Sequence, residues 1–258
     1  MKKYIFSLWI GLWISFALIG QSTRISTFEN IGWYNTFLTV KASNTISFLA
    51  EYQCRRDQFI SHWQQSLLRL GVNVQVKPGL NLRAGYGWIE TFPYGDIPIN
   101  GYGKDFTEHR IYEALQFIHP EFGIDITHRL MLEQRFVGAY KNELSTAEDD
   151  FPLLHRVRYL LKFQIPLIKK NQQQQLYLNI FDELFIGFGE QVKANIFDQN
   201  RIACLLGYAF NSHFSLEAGF LNQTIQFGRQ INGKNVFQYN NGFAINAIVQ
   251  LDARKLNK

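Results

Sequence analysis

Cysteine is nearly absent from this chain: two residues in 258, Cys54 and Cys204. That excludes a disulfide scaffold and any cysteine-rich zinc module. Only 6 residues are proline, below the usual share of about 5%, which excludes collagen and proline-rich linkers. Charged residues make up 18%, against roughly 25% in ordinary soluble domains. The formal charge of +5 is mild and comes without a block of like charges, so it makes no case for a nucleic-acid partner. After residue 20 there is no apolar run of 18 residues, and a bundle of membrane helices is excluded. What is abundant is aromatic: Phe 23, Tyr 12 and Trp 5, or 16% of the chain.

The first twenty residues have the layout of a secretory signal peptide. Lys2 and Lys3 are followed by the uncharged apolar stretch Tyr4 to Ile19, and Gly20-Gln21-Ser22 ends it. The apolar stretch is about sixteen residues, short of the roughly 20 that a spanning helix needs. Cleavage is expected after Gly20, leaving 21–258 as one domain.

That domain alternates with period two. In Gly79 to Thr91, Leu80, Leu82, Ala84, Tyr86 and Trp88 share one face, and Asn81, Arg83, Gly85 and Gly87 share the other. The same alternation runs through Phe122–Val137, His155–Pro166 and Phe243–Leu251. A soluble sandwich also alternates. Strands of ten to fifteen residues, long against a globular mode of about 5–6, favour a transmembrane barrel, whose strands need about 9–11. Aromatics gather near strand ends (Trp33, Tyr34, Tyr86, Trp88, Tyr140, Tyr177, Tyr208, Phe210, Phe214), where interfacial girdles belong. The expected fold is all-β, an antiparallel up-and-down barrel in the outer membrane of a Gram-negative bacterium, with outer-membrane lipid as its surroundings.

Short connections at 41–44, 77–79, 120–121, 169–172 and 211–212 alternate with longer ones at 56–61, 92–105, 141–151, 189–197 and 228–236. Short turns belong to the periplasmic end and long loops to the outer end. Eleven strands are legible directly, the first at 33–41. That strand runs into a short turn, so parity asks for one more before it, at Thr23–Asn30. The expectation is therefore twelve strands, with ten if the N-terminal segment does not span.

By the same alternation the lumen carries Glu51, Arg55, Arg69, Arg83, Arg110, Asp125, Arg129, Glu133, Arg135, Arg156, Arg158, Lys162, Glu183, Arg201 and Glu217. Ten are basic and five acidic, so the interior has a basic excess. Two readings stand. The charges are paired ions that hold and fill the barrel, or they form a narrow pore or pocket for small anionic solutes. Arg156, Arg158, Glu183, Arg201, Glu217 and Gln223 fall with one parity on four sequential strands, as a lumenal charge ladder would.

Four runs in the C-terminal half carry a resemblance: His155-Arg156-Val157-Arg158-Tyr159, Asp182-Glu183-Leu184-Phe185, Phe197-Asp198-Gln199-Asn200-Arg201 and Glu217-Ala218-Gly219-Phe220. In this order they resemble an uncharacterised family of outer-membrane barrels from Bacteroidota-type bacteria, the domain-of-unknown-function family numbered 2490. The likeness extends from about Trp33 to the end. It implies a barrel and an outer-membrane location, and it brings no activity with it.

The competing class is an outer-membrane lipid-modifying enzyme of lipase, acyltransferase or deacylase type. The chain has no G-x-S-x-G elbow. His62 and Ser66 share a parity but stand about 13 Å apart at strand rise, too far for a dyad. His109, His119, His128, His155 and His213 show no metal-ligand spacing, and Glu148-Asp149-Asp150 falls in an expected outer loop. The expectation is a non-catalytic barrel with no metal or cofactor.

Overall fold

In a computed structural model the described residues are 24–170 and 173–255. The signal peptide expected at 1–20 lies outside them. They form eleven strands: β1 (Arg24–Lys41), β2 (Ile46–Asp57), β3 (His62–Lys77), β4 (Leu80–Thr91), β5 (Phe106–Glu121), β6 (Ile124–Val137), β7 (Leu153–Lys170), β8 (Gln173–Phe188), β9 (Phe197–Ala209), β10 (Phe214–Ile231) and β11 (Lys234–Asp252). A 3-10 turn, Ala253–Lys255, follows. No helix among the described residues is long and apolar enough to cross a membrane.

Consecutive strands pair antiparallel, and β1 closes the barrel against β11. That closing pair is parallel, in register from Arg24↔Asn235 to Lys41↔Asp252. Closure leaves no sheet edge, so the ladder satisfies the backbone all the way round. The even strand count is corrected to eleven. The segments expected as separate strands, 23–30 and 33–41, are one continuous strand, β1, with no turn between them. An odd count requires one parallel pair, and the β1–β11 seam supplies it.

Two connections also differ from expectation. The loop expected at 228–236 is a tight turn at Asn232-Gly233, because β10 and β11 continue outward as a hairpin. Asn232 (φ 50°) and Gly233 (φ 71°) supply the paired positive φ of the hairpin turn whose twist matches the strands. The short turn expected at 120–121 is Phe122-Gly123, with φ of 50° and 78°.

Alternation sorts the wall as the residues demand. Leu70, Leu82, Trp88, Ile111, Leu130 and Leu206 are exposed on the outer face. Arg110, Glu133, Arg156, Arg158, Asn179 and Glu183 are buried inside. Trp33 and Tyr177, expected in the outer aromatic girdles, point inward and are buried. The interior also has an apolar side, where Ile31, Trp33, Ala203, Leu205, Leu221 and Ala244 cluster on β1, β9, β10 and β11. Two tyrosine rings lie along the inner wall over glycines. A Cβ on Gly85 would stand 2.6 Å from the Tyr112 hydroxyl, and one on Gly207 would stand 2.2 Å from the Tyr177 ring. Cys54 and Cys204 are free thiols, on strands that are not neighbours in the barrel.

Candidate functional site

An eleven-stranded barrel is wider than the eight-stranded kind that side chains just fill, and here an interior cavity of about 810 Å³ remains. Twelve Arg and Lys side chains line it, against five carboxylates. The fully buried Glu133 adds a sixth carboxylate, bound to three of these arginines, so the interior keeps a basic excess close to the ten-to-five balance expected from the sequence.

The charged wall is built on β5 to β9. Glu133 on β6 is fully buried and serves three arginines. Its Oε1 accepts from Arg110 Nη1 (3.2 Å) and Arg158 Nη1 (2.7 Å), and its Oε2 accepts from Arg156 Nε (2.8 Å) and Nη2 (2.5 Å). Glu108 on β5 accepts from Arg110 Nη2 (2.6 Å) and from Arg135 Nε (2.8 Å). Glu183 on β8 accepts from Arg158 Nη2 (2.7 Å) and Arg129 Nη2 (2.8 Å). Asp198 accepts from Arg156 Nη1. Each of Arg110, Arg156 and Arg158 thus bridges two carboxylates. Isolated buried charges cost several kcal/mol each; the sharing is what makes their burial tolerable.

Five of the six residues expected in the charge ladder are joined. Arg156 and Arg158 meet through Glu133, and Arg158 meets Glu183 directly. Arg201 stands 4.0 Å from Glu183 and donates from Nε to Gln199 (3.1 Å), which also accepts from Gln223 (2.8 Å). Glu217 stands apart and accepts from Tyr177 (3.1 Å), Asn179 (2.7 Å) and Asn246 (3.0 Å). The arrangement is a branched network rather than a ladder.

Two of its acids, Glu108 and Asp198, were not singled out in the sequence. Glu108 has the parity of Arg110, two residues on, and that signal was present. Asp198 is the extra residue of a β-bulge: Phe185 pairs with Gln199, and the next residue, Ile186, pairs with Phe197. Two residues against one break the alternation, so parity could not place Asp198.

Other cations have no carboxylate partner within ion-pair distance among the described residues. Arg83 donates to Asn73 (2.9 Å). Arg55 donates to Gln53 (2.8 Å) and Gln65 (2.7 Å). Lys162 lines the cavity wall below them. Two aromatic rings share the load: Arg55 stacks on Trp33 at 3.8 Å, Arg201 on Trp33 at 4.9 Å, and Arg158 on Phe185 at 4.5 Å.

The long loop 92–105 folds over one mouth of the barrel. Arg229 on β10 donates to Pro98 O (2.7 Å), and Asp96 N donates to Glu29 on β1 (2.9 Å). Tyr94 is buried in the interior, where its hydroxyl accepts from Asn240 on β11 (3.2 Å). Burial pushes the Tyr94 phenol up to about 12. The acidic run of the neighbouring loop is spent locally. Glu148 accepts from Thr107 N, Asp149 from Lys141 N (2.9 Å) and Ser145 Oγ (2.7 Å), and Asp150 from Phe151 N (2.8 Å). Those two bonds hold the Asp149 carboxyl below its ordinary value.

His62 begins β3 at the same end of the barrel as loop 92–105, and Ser66 donates to the Tyr52 hydroxyl (3.3 Å) on the exterior wall. His128 meets Tyr159 (2.8 Å) and His109 meets Tyr86 (2.6 Å), also outside. No group of acidic, His or Cys side chains suited to a metal occurs among the described residues.

The chain belongs to the family described as "Protein of unknown function (DUF2490)", whose profile matches residues 30–233. It is also similar to an uncharacterized protein of Methylorubrum extorquens. The two are 26% identical over 196 residues, which is 74% of this chain and 77% of that protein.

Proposed function

We propose that this DUF2490 barrel is an integral outer-membrane protein of a Gram-negative bacterium, exported by removal of residues 1–20, and a narrow, non-catalytic pore that favours small anions. The observation that carries the reading is the pairing of an apolar outer wall with an interior cavity lined by an excess of Arg and Lys over carboxylates.

The outer wall supports the location. On β4 the outward residues run from Leu80 to Trp88, and eight residues at about 3.3 Å rise and about 40° tilt span roughly 20 Å. That is near the roughly 25 Å apolar band of outer-membrane barrels. In water such a belt would be an aggregation surface; in lipid it is matched. The cavity supports the selectivity, because Arg and Lys rings lower the entry cost of anions. Loop 92–105 across the mouth and the Arg–carboxylate network across the middle support a passage that is narrow.

Location is tested by outer-membrane extraction and gel migration. A barrel of this kind resists release by high salt and migrates differently before and after boiling. Release by salt with no shift on boiling would contradict the proposal. Single-channel recording tests the pore: small, anion-preferring steps are expected, and large cation-selective conductance would overturn it.

A further inference from the structure

We infer that Arg55, Trp33 and Arg201 form a binding site for a small oxyanion, of the carboxylate or phosphate class. The inference rests on the reading of the interior as an anion-accepting space, and it does not require the barrel to conduct.

Both guanidiniums lie on one indole, at 3.8 and 4.9 Å from its centroid. Arg55 is buried, yet its acceptors are the neutral amides of Gln53 and Gln65. Arg201 leans on Gln199 (3.1 Å), and its nearest carboxylate oxygen is Glu183 Oε2 at 4.0 Å. The other oxygen of Glu183 already serves Arg129 and Arg158. Arg55 therefore has no carboxylate at ion-pair distance among the described residues, and Arg201 has only the long 4.0 Å approach to Glu183 Oε2.

Elsewhere in the same barrel the opposite solution is used. Around Glu133, three arginines converge on one carboxylate through four hydrogen bonds, and no donor there needs a further anion. At Trp33 the π face holds the cations in place without neutralising them. Arg55 gives one N–H of each nitrogen to the neutral amides of Gln53 and Gln65, so the second N–H of each Nη, with the Nη groups of Arg201, is what can meet an oxyanion, a ligand for which arginine is suited. Both arginines and Trp33 line the cavity, whose 810 Å³ admits phosphate or a small organic acid. Trp33 donates its Nε1 to Gln64 (2.9 Å), so the ring is fixed and its emission reports on the charges stacked upon it.

The test is a titration of the mature protein in detergent micelles with inorganic phosphate and, separately, acetate. Chloride holds the ionic strength constant. The Trp33 signal is the difference between the protein and its Trp33→Phe variant, with folding checked by heat-modifiable migration. The expected result is a saturable change with one or both anions. Its dissociation constant should rise about tenfold or more in Arg55→Gln and in Arg201→Gln. Arg201→Lys, which keeps the charge and loses the fork, should fall between. Arg56→Gln, on the outer face, should match the parent. Saturation by phosphate alone assigns the phosphate class, and by acetate the carboxylate class. A linear response, an equal response to chloride, or an unchanged constant in Arg201→Gln would overturn the site. A failed titration beside intact anion selectivity sinks the site alone; saturable binding beside lost selectivity sinks the pore and leaves the site.

Discussion

Glu133 is the keystone of the interior charge network, and replacing it with glutamine gives the most quantitative prediction. The carboxylate is fully buried and holds Arg110, Arg156 and Arg158 through four charge-assisted hydrogen bonds. Glutamine has the same shape, keeps one acceptor oxygen and removes the charge. Breaking a buried ion pair on one side costs about 3–5 kcal/mol, because the partner charge stays behind. Here each arginine retains a second carboxylate, Glu108, Asp198 or Glu183 respectively, so the lower end applies. About 3 kcal/mol corresponds to roughly a 150-fold change in the folding equilibrium. Guanidinium unfolding in detergent micelles, followed by tryptophan emission, measures it. Adding Arg158→Gln to Glu133→Gln should cost less than the sum of the two single changes, by about 1–3 kcal/mol. A loss under about 1 kcal/mol for Glu133→Gln, or strict additivity with Arg158→Gln, would refute the claim that shared carboxylates hold this wall.

Gly85→Val should destabilise by about 1–3 kcal/mol, since its Cβ meets Leu70 O at 2.2 Å and the Tyr112 hydroxyl at 2.6 Å; Gly87→Ala, whose nearest neighbour is 3.4 Å away, should be nearly silent in the same unfolding assay. Tyr94→Ala with Arg229→Ala removes two of the anchors of loop 92–105 and should raise single-channel conductance; an unchanged value would mean the loop does not obstruct the mouth. The Tyr94 phenol is raised from 10 to about 12 by burial, so the folded state holds its proton more tightly than the unfolded chain. Its contribution is therefore complete below pH about 10 and lost as pH rises through about 12. Alkaline titration at the phenolate absorption band should lose one late-titrating phenol in Tyr94→Phe relative to the parent; an unchanged late phase would contradict the burial of Tyr94.

The fold was legible because a barrel wall imposes period two on every strand. Alternation put Arg55, Arg110, Arg156, Arg158 and Arg201 inside and Leu82, Trp88 and Leu130 outside, where the structure has them. Parity failed where local geometry breaks its assumptions. The even count assumed an antiparallel seam, and β1 pairs in parallel with β11. Asp198 was hidden by a bulge. Asn232-Gly233, a strong tight-turn signal, was absorbed into a longer loop. The apolar inner cluster around Trp33 was illegible for another reason. Its members look like lipid-facing residues by composition, and only their burial against one another separates them. Which arginine finds which carboxylate depends on register between strands, and alternation within one strand does not contain it.

The reversal potential across a planar bilayer carrying the purified barrel, under a tenfold potassium chloride gradient, tests the central claim most directly. The basic interior predicts a potential of the sign that marks chloride as the favoured ion. Changing Arg83 and Lys162, two cavity-lining cations without a carboxylate at ion-pair distance among the described residues, to glutamine should move it toward zero. A potassium-preferring potential, or one that does not move in the double variant, would contradict an anion-selective passage through this barrel.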